Sequence, residues 1–177
     1  MTFVDNQNNV IQRTIINTKQ HPLYVSERID LTVGLLDFDV PTNQVSFAKV
    51  LPDNYQDYIR NGRGLPCIRL DQEEKALVGD VETIFISPKE AKASIPYLPN
   101  RLLLFEKLAD GDSGNPMFII INNQPILLTV WLGSADGGGG ASVTKFKDDI
   151  NDMMNVLGGG YQLEEIDLSW FTVLPTP

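Results

Sequence analysis

The sequence predicts an all-β fold, and three observations carry that prediction. Short apolar, β-branched runs recur along the chain, bounded by turn signals rich in Asn, Pro and Gly. Two pairs of these runs lie close enough to read as hairpins, one over residues 2–16 and one over 117–132. Only one long stretch, Val143 to Leu157, repeats its apolar residues at helical spacing. At 177 residues and 42% hydrophobic, the chain is globular, with material for one sizeable core or two small barrels sharing an interface.

The elements follow in order. Thr2 to Val4, an Asn-rich turn over Asp5 to Asn9, and Val10 to Ile16 make the first hairpin. Gln20-His21-Pro22-Leu23-Tyr24 is a polar, proline-containing connection, and Ile29 to Leu36 is a strand opening at Asp30. Asp53 to Gly64 is polar and reads as a linker. Leu65 to Leu70 and Val78 to Ile86 read as strands around the charged turn Asp71 to Lys75. Ser87 to Ala93 predicts a short helix, with a serine cap and proline at its first position, ended by Pro96 and Pro99. Arg101 to Phe105 is a strand leading into a serine-bearing loop.

Beyond that loop, Met117 to Ile121, the turn Asn122-Asn123-Gln124-Pro125, and Ile126 to Leu132 form the second hairpin. Gly133 to Gly140 is a glycine-rich loop. Val143, Phe146, Ile150, Met153, Met154 and Leu157 mark the core-facing side of the helix, which Gly158-Gly159-Gly160 ends. The tail from Tyr161 to Pro177 carries Ile166, Leu168, Trp170, Phe171, Val173 and Leu174. It is too apolar to remain in water and packs on the domain or on a partner.

The stretch that carries chemistry is Ala109-Asp110-Gly111-Asp112-Ser113-Gly114-Asn115-Pro116. Gly111 and Gly114 permit backbone conformations that can aim successive N–H groups into one concavity, where an anionic oxygen can sit. Ser113 would present its hydroxyl beside that concavity, as acyl transfer requires. The same residues also suit a plain turn between two strands.

Together with the hairpin, glycine-rich loop and helix that follow, this stretch resembles the C-terminal part of the trypsin-like (chymotrypsin-fold) serine peptidases. Gly111 to Pro116 matches the family's Gly-Asp-Ser-Gly-Gly-Pro loop, with Asn115 in place of the second glycine. Thr129-Val130-Trp131-Leu132-Gly133 matches its substrate-binding edge, Gly137 to Gly140 its pocket wall, and Ala141 to Phe146 the approach to its closing helix. Upstream, His21-Pro22-Leu23-Tyr24 and Asp30-Leu31-Thr32-Val33-Gly34-Leu35 resemble the family's His-Pro-x-Tyr segment and the strand that begins at its triad aspartate. The spacing from Asp30 to Ser113 is close to the family's acid-to-nucleophile spacing. Pro41 and Phe47 to Pro52 resemble the crossing into the second barrel.

The resemblance covers Phe3 to about Leu157 and implies a chymotrypsin-like double β-barrel with an incomplete first barrel, a C-terminal helix and an extra tail. On that reading residues 1–52 are the remainder of the first barrel and 53–64 the linker. Residues 65–157 are the second barrel with its helix, and 158–177 an extension. The implied roles are Ser113 as nucleophile and Asp30 as the acid that orients the base. The backbones of Gly111 and Ser113 supply the oxyanion donors, and Asp112 organises the loop through a basic partner such as Arg69 or Arg101. Lys107, Trp131 and Gly133 border the substrate pocket, and Lys107 near its base hints at acidic substrates. Asp30 also fits an ordinary solvated residue at the start of a strand.

The mechanism needs an imidazole, because serine at its free pKa is a poor nucleophile. The chain has one histidine, His21, a short loop before Asp30, whereas the family places its base several strands upstream. His21 aligns instead with the non-catalytic His-Pro-x-Tyr segment and reads as structural or exposed. Three readings stand open. The chain is part of an active peptidase, or a degenerate homologue serving binding or assembly, or His21 acts in an unusual arrangement.

Composition excludes several other classes. A formal charge of −9 argues against nucleic-acid binding. No run approaches membrane-spanning length, and Met1 to Asp5 lacks a signal-peptide pattern, leaving the compartment open. The lone Cys67 forms no intrachain disulfide and reads as a small buried hydrophobe. No metal-ligand spacing is present, and the glycine run lacks the Lys-Ser/Thr of a phosphate loop, so no cofactor is expected. The expected partners are a polypeptide substrate or a protein.

Overall fold

A computed structural model describes residues 1–27, 29–58, 65–70, 76–81, 83–87, 90–94, 113–130 and 139–171. Strands dominate: the described residues form small antiparallel sheets of two to four strands with two α-helices, and none of these sheets closes into a barrel. The expectation of a β-rich chain holds at this level. Among the described residues no helix is long and apolar enough to cross a membrane. The chain divides into two compact units, Met1–Ala48 with Lys147–Leu163, and Lys49–Phe146 with Glu164–Pro177.

In the first unit, β1 (Thr2–Val4) pairs with β2 (Val10–Gln12), with Val4 opposite Val10. The Asn-rich turn between them is built on Asp5. Its carboxylate accepts the backbone N–H groups of Gln7 (2.8 Å) and Asn9 (2.7 Å) and the Asn9 side-chain amide (2.9 Å). Asn8 takes φ +64, which asparagine tolerates. The expected strand over Val10 to Ile16 is divided, because the chain turns at Arg13 and Thr14. The Arg13 guanidinium donates to the Asp39 carbonyl, and the Thr14 N–H donates to the Asp37 carboxylate at 3.1 Å. β3 (Ile15–Gln20) then runs antiparallel to β4 (Thr32–Leu36), with a bulge between Ile15 and Asn17. The connection between them contains a single helical turn, α1 (Tyr24–Glu27).

The predicted helix is present as α2 (Lys147–Val156), burying Ile150 and Met153 and packing with β3 and β4. Its contacts with β3 and β4 group it with the first unit. It also begins later than Val143. The Ser142 hydroxyl accepts the Lys145 N–H (3.2 Å) and its carbonyl accepts the Phe146 N–H (3.1 Å), which holds 143–146 as a turn. The glycine stop works as expected. Gly158 takes φ +81, its N–H donates to Asn155, and the Gly159 N–H donates to Met154, the paired bonds of a Schellman end.

The second unit contains β5 (Leu65–Leu70), β6 (Ala76–Val81), β7 (Thr83–Ser87), β8 (Glu90–Ser94), β9 (Pro116–Ile121), β10 (Gln124–Val130) and β11 (Gly139–Ala141). One sheet has the order β10-β9-β5-β6 and another β11-β8-β7. Of the stretch expected as a short helix at Ser87 to Ala93, Ser87 ends β7 and Glu90 to Ala93 lie in β8. A helix that short does not cover its nucleation cost, and β8 has ladder partners on both sides, β7 and β11. The β9–β10 hairpin matches its prediction closely. Asn122 (φ 49) and Asn123 (φ 61) form the two-residue turn whose twist suits paired strands.

Period-two alternation puts Met117, Ile119 and Ile121 of β9 in the core with Ile126 and Leu128 of β10. Residues 49–50 lie beside this hairpin: the Lys49 N–H donates to Pro125 and the Leu127 N–H to Lys49. The tail joins on the other side, with the Val50 N–H donating to Glu164 and the Ile166 N–H to Val50. Lys49 Nζ closes the pair on the Glu164 carboxylate at 2.6 Å. Ile166 and Leu168 thereby complete the core with Leu51 and Tyr55, the latter from the stretch read as a polar linker. Residues 172–177 of the tail, and the strand expected over 101–105, lie outside the described residues.

Candidate functional site

Ser113 lies on the turn immediately before β9 and is exposed. Gly114 after it takes φ +92, a conformation that residues with a Cβ rarely adopt, and nothing crowds the place a Cβ would occupy. The glycine is therefore required by the backbone turn and not by close packing. Asn115, standing at the family's second glycine, has its side-chain amide nitrogen buried with no hydrogen-bond acceptor among the described residues. Pro116 then opens β9, whose central place between β10 and β5 fixes the base of the turn.

Register sets what lies beside the serine. Pro116 pairs with Val130, so the chain leading out of Ser113 and the chain about to enter Trp131 meet at one end of the hairpin. The ladder is bulged between Leu127 and Thr129, a common device for re-aiming a strand end near a site. Thr129 is completely buried, and its hydroxyl donates to the Ala141 carbonyl at 2.9 Å. That bond ties β10 to the strand that follows the glycine-rich segment. The expected oxyanion donor Gly111, the loop organiser Asp112, and the pocket residues Lys107, Trp131 and Gly133 lie outside the described residues. Cys67 occupies β5 between Gly79 of β6 and Ile119 of β9, a mid-sheet position.

Asp30 belongs to the first unit and Ser113 to the second. Asp30 is the central residue of a tight three-residue turn, in which the Leu31 N–H donates to the Ile29 carbonyl at 3.1 Å. Ile29 and Leu31 are both buried, whereas Asp30 itself is partly exposed. Two apolar neighbours thus anchor the backbone on either side of the carboxylate.

His21 is buried, and both ring nitrogens face partners. Nδ1 accepts the Leu23 N–H at 3.2 Å, which leaves the proton on Nε2, and Nε2 lies 3.3 Å from Asp149 Oδ2 on α2. An imidazole held this way has no lone pair to offer a serine hydroxyl. Asp149 was not singled out by sequence, where it reads as one of several charges on the outer face of the helix. Only the packing of α2 onto β3 and β4 brings it to the histidine. Among the described residues no group of three or more His, Cys, Asp or Glu side chains could hold a metal ion.

A scan against protein-family models, a search of curated proteins and a search of solved structures find no match to this chain.

Proposed function

We propose that this chain is the acid- and serine-bearing part of a trypsin-like serine endopeptidase, built on a chymotrypsin-like pair of β-barrels. Ser113 attacks the scissile carbonyl, the N–H groups of Gly111 and Ser113 hold the oxyanion, and Asp30 orients an imidazole supplied from outside these residues. The proton of Ser113 passes to that imidazole and then to the leaving amine. The observation that carries the reading is the Ser113 turn. An exposed serine precedes a glycine at φ +92, at the end of a hairpin in which Pro116 pairs with Val130.

A second reading rests on a different observation. The chain's one histidine is buried, its Nδ1 taken by the Leu23 N–H and its Nε2 lying 3.3 Å from the Asp149 carboxylate. A chain working without any other base is an inactive relative, its β-scaffold and half-exposed Trp170 serving a protein contact.

Two measurements separate the readings. The intact mass of the protein from its native source is expected to exceed 19.7 kDa, with additional residues that include a histidine. A fluorophosphonate probe is expected to label that protein at Ser113 and to fail on Ser113→Ala. A native mass equal to this chain, with no labelling, overturns the peptidase reading and leaves the scaffold.

A further inference from the structure

His21 is the buried titratable group that the proposed chemistry does not use, and its bonds converge on the loop that carries Asp30. Its backbone N–H donates to the Leu31 carbonyl at 2.9 Å, one residue after Asp30. Its imidazole Nδ1 accepts the Leu23 N–H. The Leu23 carbonyl in turn accepts the Ile29 N–H at 3.5 Å, one residue before Asp30. Both flanks of the aspartate are therefore bonded into the His21–Leu23 turn, one directly and one through Leu23. On the far side of the ring, Nε2 lies 3.3 Å from Asp149 Oδ2, an ion-pair distance without hydrogen-bond geometry, while the Leu23 N–H fixes Nδ1 as the acceptor.

We infer that His21, oriented by Asp149, is a positioning residue for Asp30: a buried imidazole that fixes the Asp30 turn from beneath and takes no part in proton transfer. The inference rests on the reading of Asp30 as the triad acid for its functional meaning, but the geometry it describes stands without catalysis. Replacing the ring removes the acceptor for Leu23, which loosens the Leu23–Ile29 bond and with it the first half of the Asp30 turn. Replacing Asp149 removes the carboxylate 3.3 Å from Nε2 and leaves that edge of the ring free to shift, which loosens the Nδ1–Leu23 bond from the other side.

The test is heteronuclear NMR on the labelled 177-residue chain, comparing wild type with His21→Ala, His21→Asn and Asp149→Ala. In wild type the ring nitrogens are expected to show the Nε2–H tautomer, with Nδ1 unprotonated. His21→Ala is expected to move the Asp30 side-chain carboxyl carbon signal and to speed amide exchange at Leu23 and Ile29 by about tenfold or more. His21→Asn, whose amide oxygen can replace Nδ1 as acceptor, is expected to restore both. Asp149→Ala, remote from Asp30 in sequence, is expected to move the same signals in the same direction while the fold persists. It keeps the test decisive if His21→Ala fails to fold. Unchanged Asp30 and Ile29 signals in Asp149→Ala, or no rescue by His21→Asn, would overturn the inference. Because no readout depends on hydrolysis, a chain that holds Asp30 this way yet never labels at Ser113 sinks the peptidase proposal alone.

Discussion

The hydroxyl of Thr129 donates to the carbonyl of Ala141 across 2.9 Å in a fully buried setting. The bond joins the end of β10 to the end of β11. Thr129→Val keeps the shape and removes the donor, leaving the Ala141 carbonyl without that partner. The expected cost is about 1–3 kcal/mol, the penalty for an unsatisfied buried group. Thr129→Ser, which keeps the hydroxyl, is expected to lose less. Urea unfolding followed by tryptophan fluorescence measures both. If the two variants are equally stable, the hydrogen bond does not carry the join between β10 and β11.

Ser113 is exposed, and the sharp backbone turn belongs to Gly114. Ser113→Ala is therefore expected to cost no more than about 1.5 kcal/mol, the upper end for one ordinary hydrogen bond, and to leave the fold intact. Under the peptidase reading it abolishes probe labelling at the same time. A variant that instead unfolds would show that the serine holds the loop together. Thermal unfolding run beside the labelling assay gives both answers on one preparation.

Where local pattern and tertiary partner agree, the sequence was legible. The β9–β10 hairpin is an example: alternating apolar residues and an Asn-Asn turn need nothing from elsewhere in the chain. Ser87 to Ala93 shows the opposite case: its Ser87-Pro88 helix-start signal is followed by residues that join β8 (Glu90–Ser94), to which two strands offer ladders. Tyr55 was hidden by polar neighbours, and its burial depends on Leu51 and the distant Ile166 and Leu168. For the site, Ser113 and Gly114 were readable because a glycine turn before a strand is local chemistry. The His21–Asp149 contact was not, since the two residues meet only through packing of α2 on the β3–β4 pair.

Acid should weaken the first unit through the β1–β2 turn. The Asn9 side chain, the Asn9 N–H and the Gln7 N–H all favour the charged form of Asp5, holding its carboxyl below the ordinary 3.8 against a smaller effect of burial. A lowered folded-state value contributes stability that is present above the unfolded value and is lost as pH falls through the folded one. Asp37, held down chiefly by the Thr14 N–H, contributes with the same sign. The urea midpoint is therefore expected to fall on going below about pH 4, and Asp5→Asn is expected to flatten that fall. A midpoint equally pH-dependent in Asp5→Asn would assign the effect to other carboxylates.

The end of α2 gives a contrast between adjacent glycines. Gly158 sits at φ +81, and among the described residues nothing lies within 4 Å of where a Cβ would stand, so alanine there meets the conformational penalty, about 1 kcal/mol. Gly159 has no positive φ, and an added Cβ would make ordinary contacts, 3.7 Å to the Tyr161 ring and 3.8 Å to the Met154 carbonyl. Alanine at Gly159 is therefore expected to be neutral or to stabilise by about 0.4–1 kcal/mol, because it restricts the unfolded chain. Gly158→Asn is expected to fall between wild type and Gly158→Ala, since asparagine tolerates the left-handed region. Denaturant unfolding of the three variants ranks them. If Gly159→Ala proves the more damaging, the paired bonds to Met154 and Asn155 do not end the helix as described, and the termination would lie one residue further on.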